Sequence, residues 1–274
     1  MNTIQPGSVV VAADGSPESD RAVLWAVEEA HLERRPLAVV TVVPDADGAA
    51  NHAAVELARR WRPGVEVQGA AIEGTPRRLL PEISAGAHLL VLGSRGRGRI
   101  SSAVLGSVSA KISSRASCPV VVCRPGPVGR VRHGILVCVD GTRDSAPAIE
   151  FAFRQASLRD LPLTVVNAAG GDDSPAELVL AESLAGFREL FPEVFVSRQT
   201  ETDFTAESSS RSSARWHMVV VGRATEGAAR PTAGPSVTEV VEHAHTYVAV
   251  VPARSSERPV VVGTNDPSLS VPRP

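Results

Sequence analysis

Short, almost unbroken apolar runs alternate along this chain with stretches whose apolar residues recur every three or four positions. In the first half the runs fall near 9–13, 37–43, 65–72, 89–93 and 120–123 and read as strands, and the continuously apolar Leu89–Leu92 suits one buried on both faces. The intervals near 17–34, 48–60, 77–85 and 103–115 carry helical periodicity. The first of these opens on Ser16-Pro17, a capping hydroxyl followed by proline at the first helical position, and Pro36 ends it. Its core stripe is Val23, Ala26, Val27 and Ala30. Strands alternating with helices predict an α/β fold with a parallel sheet and right-handed crossovers.

The pattern then repeats. Ser8–Ser16, ending Ala13-Asp14-Gly15-Ser16, is echoed by Gly134–Thr142, ending Val139-Asp140-Gly141-Thr142, which sets Asp14 and Asp140 126 positions apart. Pro36–Val40 returns as Pro162–Val166 at the same separation, and Leu90–Gly93 returns as Val219–Gly222, 129 positions on. Two tandem copies of one domain are the simplest explanation, over 1–124 and 132–253. Pro125–Arg130 is dense in helix and strand breakers and reads as the linker. The last strand of each copy, Val120–Cys123 and Val248–Val251, is apolar and would be an exposed edge alone, so the two are expected to face each other. In the tail, 254–274, Val260–Val262 resembles the first strand of a further repeat that never continues, and the tail is expected to be mostly disordered.

At 43% hydrophobic and 21% charged residues, the composition is that of a globular chain and not a disordered one. No apolar run approaches the ~20 residues of a membrane helix, and the N-terminus lacks the basic and apolar segments of an export signal, so no membrane association and a cytoplasmic location are expected. Cys118, Cys123 and Cys138 form no C-x-x-C pair; Cys123 and Cys138 lie in strand-like runs where a thiol is a small core hydrophobe. His243 and His245 would point to different faces of a helix, which argues against a shared metal.

The candidate chemistry lies at the end of the fourth run. Gly93-Ser94-Arg95-Gly96 is followed after nine residues by Gly106-Ser107, where a strand hands over to a helix. Glycine at that point permits φ > 0 and a close approach of backbone N–H groups to phosphate oxygens, and the helix start favours an anion. From Gly93 to Arg115 the segment holds Arg95, Arg97, Arg99, Lys111 and Arg115 and no acidic residue, in a chain whose net charge is −2. The positive excess is local, as a phosphate site requires.

These residues resemble the universal stress protein family, over nearly the whole chain as a tandem pair. The ATP-binding form of that family carries G-x2-G-x9-G-[ST], which Gly93, Gly96, Gly106 and Ser107 match in every place and spacing. Asp14 stands where the family has an acidic residue after the first strand, and Val42 where it has a valine after the second. The resemblance implies two flavodoxin-like or Rossmann-like domains, each a five-stranded parallel sheet flanked by helices, with ATP across the carboxyl ends of the strands, accompanied by Mg2+. It also implies an antiparallel contact between the two last strands. The nucleotide-binding residues it implies are Ala13, Asp14, Val42, Gly93, Arg95, Gly96, Gly106, Ser107 and Val108. Asp14 would accept from the ribose hydroxyls, and the main chain near Val42 would meet the adenine edge. By turn chemistry alone Asp14 is equally an ordinary turn residue before a helix, and Val42 equally a core residue.

The second copy departs from the motif. Counting on from Gly222, the second glycine place holds Thr225 and the third Pro235, which has no N–H; only Ser236 is in register. From 222 to 243 two arginines face three glutamates. Weak or no triphosphate binding is expected there, although Asp140 remains. The implied function is a nucleotide-dependent stress-response regulator acting through a protein partner of unknown identity or a homodimer. The alternative is a slow ATPase or nucleotidyl-transfer enzyme on the same fold. No Walker A lysine, H-x-G-H, S-G-G-x-D or G-x-S-x-G string supports efficient turnover. An isoelectric point near 6.4, with no basic stretch interleaved with aromatics, argues against nucleic acid.

Overall fold

The computed structural model describes residues 4–43, 48–94, 107–124, 133–167, 175–200, 213–223 and 244–253. The proposed linker, the tail, His243 and the segments carrying Arg95, Gly96, Gly106, Thr225 and Pro235 lie outside the described residues.

The first half contains β1 (Val9–Ala12), α1 (Pro17–Leu32), β2 (Leu37–Val43), α2 (Ala49–Trp61), β3 (Val67–Glu73), α3 (Pro76–Ser84), β4 (Leu89–Gly93), α4 (Ser107–Ser113) and β5 (Val120–Cys123). The second contains β6 (Ile135–Val139), a 3-10 turn (Arg143–Ser145), α5 (Ala146–Arg159), β7 (Leu163–Asn167), α6 (Pro175–Leu190), β8 (Val196–Thr200), β9 (Met218–Arg223) and β10 (Tyr247–Pro252). The first helix starts as the sequence predicts: Ser16 caps it by accepting from Ser19 N at 3.2 Å, with Pro17 in the first turn. It stops four residues before Pro36, because Arg34 turns left-handed at φ 53° and Arg35 N closes onto Ala30 O at 2.8 Å.

The ten strands among the described residues form one sheet in the order β3-β2-β1-β4-β5-β10-β9-β6-β7-β8. Pairing is parallel within each half, and β10 joins β5 antiparallel, with Val248, Ala249 and Val250 opposite Val122, Val121 and Val120. The expected edge contact is therefore present. The halves also share their register: Val9 opposes Leu37 as Ile135 opposes Leu163, each member shifted by 126.

Successive residues of a strand face opposite sides of the sheet. Val9, Val11, Val39, Val91 and Val121 pack under α1 and α2, and Val10, Val40, Leu90, Val120 and Val122 pack under α3 and α4. Both cores run across the seam, since Ala249 and Val251 join the first cluster and Val248 and Val250 the second. Burying one such valine stabilises by ~1.5 kcal/mol or more, so β5 and β10 hold the halves as a single core.

Candidate nucleotide-binding crevice

The chain leaves β1 toward β2 and β3 on one side and returns to place β4 and β5 on the other, so strand order reverses between β1 and β4. Open α/β sheets bind ligands in the crevice outside the carboxyl ends of the strands at such a point. Here those ends carry Ala13-Asp14 and Gly93-Ser94.

Ala13 is buried and donates its N–H to Val40 O at 2.9 Å, which prolongs the β1–β2 ladder by one bond. The chain then turns at Gly15, whose φ of +76° suits glycine. Asp14 Oδ1 accepts from Ser16 N at 3.0 Å and from Ser16 Oγ at 2.6 Å, while Ser16 Oγ accepts from Ser19 N. One carboxylate oxygen thus organises the start of α1, and the half-buried side chain stays at the crevice rim. This places Asp14 in the turn role that residue chemistry allows; the same position leaves it beside the crevice.

On the β4 side, Ser94 N donates to Cys123 O at 3.1 Å, and Ser94 is buried. Gly93 needs correction. The sequence argument gives it φ > 0, yet it is not among the positive-φ glycines. Its reason is space: a Cβ would lie 3.1 Å from the carbonyl carbon and oxygen of Glu18 and 3.2 Å from Ser19 N, all backbone of the first turn of α1. Its carbonyl accepts from Ser109 Oγ at 2.9 Å, which ties α4 to the end of β4. Gly93 is therefore where β4, α1 and α4 meet. Ser109 escaped the sequence reading, though its place two residues after the glycine–serine pair was the available signal.

Ser107 and Val108 are the first two residues of α4. Val42 lies one residue before the end of β2, opposite Ile72, and its half-buried side chain packs against the core beneath α3 and α4. Ala13, Asp14, Val42 and Gly93 thus share one end of the sheet, with the start of α4 tied to it through Ser109. Arg95, Gly96 and Gly106 fall outside the described residues.

The second half keeps the turn and loses the tight packing. Asp140 Oδ1 accepts from Thr142 N at 3.0 Å, Thr142 Oγ1 at 2.7 Å and Ser145 Oγ at 2.6 Å, with Gly141 at φ +69°. Burial pushes the Asp140 carboxyl up, but the Ser145 and Thr142 hydrogen bonds outweigh it and hold the group below its ordinary range. The 3-10 turn delays the start of α5, and the nearest atom to a Cβ on Gly222 is Ala148 Cβ, at an ordinary 3.7 Å. Burial pushes the Cys118 thiol up to about 12 and raises Cys123 as well, which keeps both in the unreactive thiol form.

The universal stress protein family model matches residues 7–62 and 47–124, both in the first half. A universal stress protein of Mycobacterium tuberculosis is 36% identical over 90% of this chain and 97% of its own length, and another from that organism is 31% identical over 88% and 95%. Among solved structures, a universal stress protein from Archaeoglobus fulgidus superposes with a TM-score of 0.64 at 18% identity, covering 92% of this chain and 98% of that one. With ten strands in two parallel halves and a relative of this identity spanning nearly its full length, the chain belongs to the universal stress protein family, in its tandem form.

Proposed function

We propose that the β1/β4 crevice of the first half binds ATP together with Mg2+, and that occupancy makes the protein a nucleotide-dependent regulator of a stress response in the cytoplasm. The observation that carries this reading is the coincidence of two independent features. The G-x2-G-x9-G-S spacing begins at Gly93, and Gly93 ends the strand at which sheet order reverses, with Asp14 at the neighbouring strand end. In this reading Ala13, Asp14 and Val42 line the nucleoside side. Gly93, Arg95, Gly96, Gly106, Ser107 and Val108 line the phosphate side, where backbone N–H groups and the local positive charge serve the anion.

The division into a binding unit, 1–124, and a second unit with a degenerate motif, 132–253, is part of the same proposal. It is supported by Thr225 and Pro235 at the glycine places and by the looser packing at Gly222. No residue is assigned a catalytic role, and the output is binding to a protein partner or to a second copy of the chain. Among the described residues no helix is long and apolar enough to cross a membrane. The test is to purify the protein from cells, identify any nucleotide it carries, and titrate the nucleotide-free form with ATP by calorimetry. About one ATP per chain is expected, given one intact motif. Two equal sites, or no binding with Mg2+ present, would overturn the reading; phosphate release keeping pace with binding would favour the ATPase instead.

A further inference from the structure

A groove unrelated to the crevice runs along the outer face of α1, with a volume of about 610 Å3. The core stripe of α1 faces the sheet; this groove uses the neighbouring stripe, Leu24, Trp25 and Leu32, spaced at helical period. Trp61 at the end of α2 forms one side, and Leu158 and Leu161 at the end of α5 the other, with Tyr247 of β10 beneath. Both halves of the protein therefore contribute walls. Size and a mostly apolar, aromatic lining are those of a small-molecule site between domains.

Two of its polar groups are donors without a partner among the described residues. Trp25 is 7% exposed, and its Nε1 has no hydrogen-bond partner among the described residues. Arg159, whose side chain is 11% exposed, lies with its guanidinium 5.3 Å from the Trp25 ring centroid. One arm, Nη2, bonds Glu29 Oε2 at 2.5 Å, and the other, Nη1, is buried without a partner. Two adjacent orphan donors in an apolar wall call for an acceptor, and beside a guanidinium that acceptor is best an anion. The carboxylate of Glu28, also on this wall, is already held by Arg62 at 2.7 Å, which removes the main repulsion.

We propose that this groove is a second ligand site, taking a small aromatic carboxylic acid whose ring lies among Trp25, Trp61 and Tyr247 and whose carboxylate meets Arg159 Nη1 and Trp25 Nε1. Neighbouring side chains cover both donors, so binding rotates the Trp25 ring to expose them.

The experiment titrates the full-length, ATP-free protein with naphthalene-2-carboxylate and, separately, with the neutral 2-naphthylmethanol, following the heat of binding by calorimetry. A saturable change is expected, with the acid about tenfold tighter than the alcohol because its hydrogen bonds to Arg159 are charge-assisted. Leu158→Glu, at a half-exposed position, sets a negative charge at the mouth and is expected to weaken the acid at least as much as it weakens the alcohol; a far-ultraviolet circular dichroism spectrum and urea midpoint like those of the wild type serve as its folding control. No saturation up to millimolar acid, equal affinity for acid and alcohol, or full acid affinity in folded Leu158→Glu would each overturn the proposal.

Discussion

The packing at the end of β4 makes a sharp prediction about two glycines that the sequence treats as equivalents. In Gly93→Ala the new Cβ sits 3.1 Å from Glu18 C and O and 3.2 Å from Ser19 N. These are backbone atoms of a capped helical turn, so no side-chain rotation relieves the contact, and α1 must move away by a few tenths of an ångström. Overpacking of this kind costs ~1–3 kcal/mol. Restricting the unfolded chain returns ~0.4–1 kcal/mol. The expected net loss is ~1–2 kcal/mol, roughly a 5- to 30-fold fall in the folded-to-unfolded ratio. In Gly222→Ala the nearest atom among the described residues is 3.7 Å away and φ is not positive, so only the gain of ~0.4–1 kcal/mol applies. Urea unfolding of the full chain, followed by far-ultraviolet circular dichroism, should give a lower midpoint for the first variant and an unchanged or higher one for the second. Because α1 begins beside Asp14, the first variant should also weaken ATP binding by calorimetry. If Gly93→Ala unfolds at the wild-type midpoint, or Gly222→Ala falls as far, close packing on α1 is not why glycine stands there.

On the proposed reading, in which the Gly106 backbone meets phosphate, Gly106→Val should abolish ATP binding while the protein stays folded, because a branched side chain would intrude there; undiminished affinity by calorimetry would remove Gly106 from the proposed site. Arg159→Met leaves Glu29 buried without its cation and should cost ~3–5 kcal/mol in chemical denaturation, with much of this restored when Glu29→Met is added. Burial pushes Glu29 up and Arg159 draws it back, so losing Arg159 raises the folded pKa further. A raised carboxyl loses stability as pH climbs from its unfolded value through the folded one, so Arg159→Met should weaken more steeply above pH ~4.5 than wild type does. Asp140 has the opposite sign: its lowered pKa contributes stability above the ordinary aspartate range that is lost as pH falls. Asp140→Asn should therefore narrow the stability gap between neutral and acid pH, and an unchanged acid limb would refute the assignment.

How much of this was readable in the sequence depends on the range of the interaction. The central strands were readable because a strand buried on both faces must be apolar at every position, and the repeat was readable because strand register copies the 126-residue offset. Ser16 and Pro17 act within one turn, and they cap α1 as read. What the chain hid was contact between distant segments. Glu29 looks like a solvated helix residue, yet it is fully buried, bonded to Gln155 and Arg159 across the seam. Gly69 lies inside β3 because buried Asn51 of α2 fills its Cβ position while bonding Val39 O and Ala70 O. Gly93 is the same kind of case, a glycine required by a helix 75 residues earlier in the chain.

The two copies together separate structural from functional demand at the crevice. Both retain the aspartate after the first strand, the left-handed glycine behind it and the hydroxyls bonded to Oδ1. A feature kept in a copy whose glycine motif is broken is not kept for triphosphate alone, so the aspartate turn is first a device for starting the helix. Close contact of β4 with α1 at Gly93, by contrast, has no counterpart between Gly222 and α5 among the described residues, where the nearest atom is 3.7 Å away. Where it exists, the glycine spacing is intact and the segment beyond is positively charged; where it is missing, the spacing is lost and acidic residues outnumber basic ones. The tight junction of β4 with α1 and α4, and not the aspartate turn, is thus the feature that distinguishes the half proposed to hold phosphate.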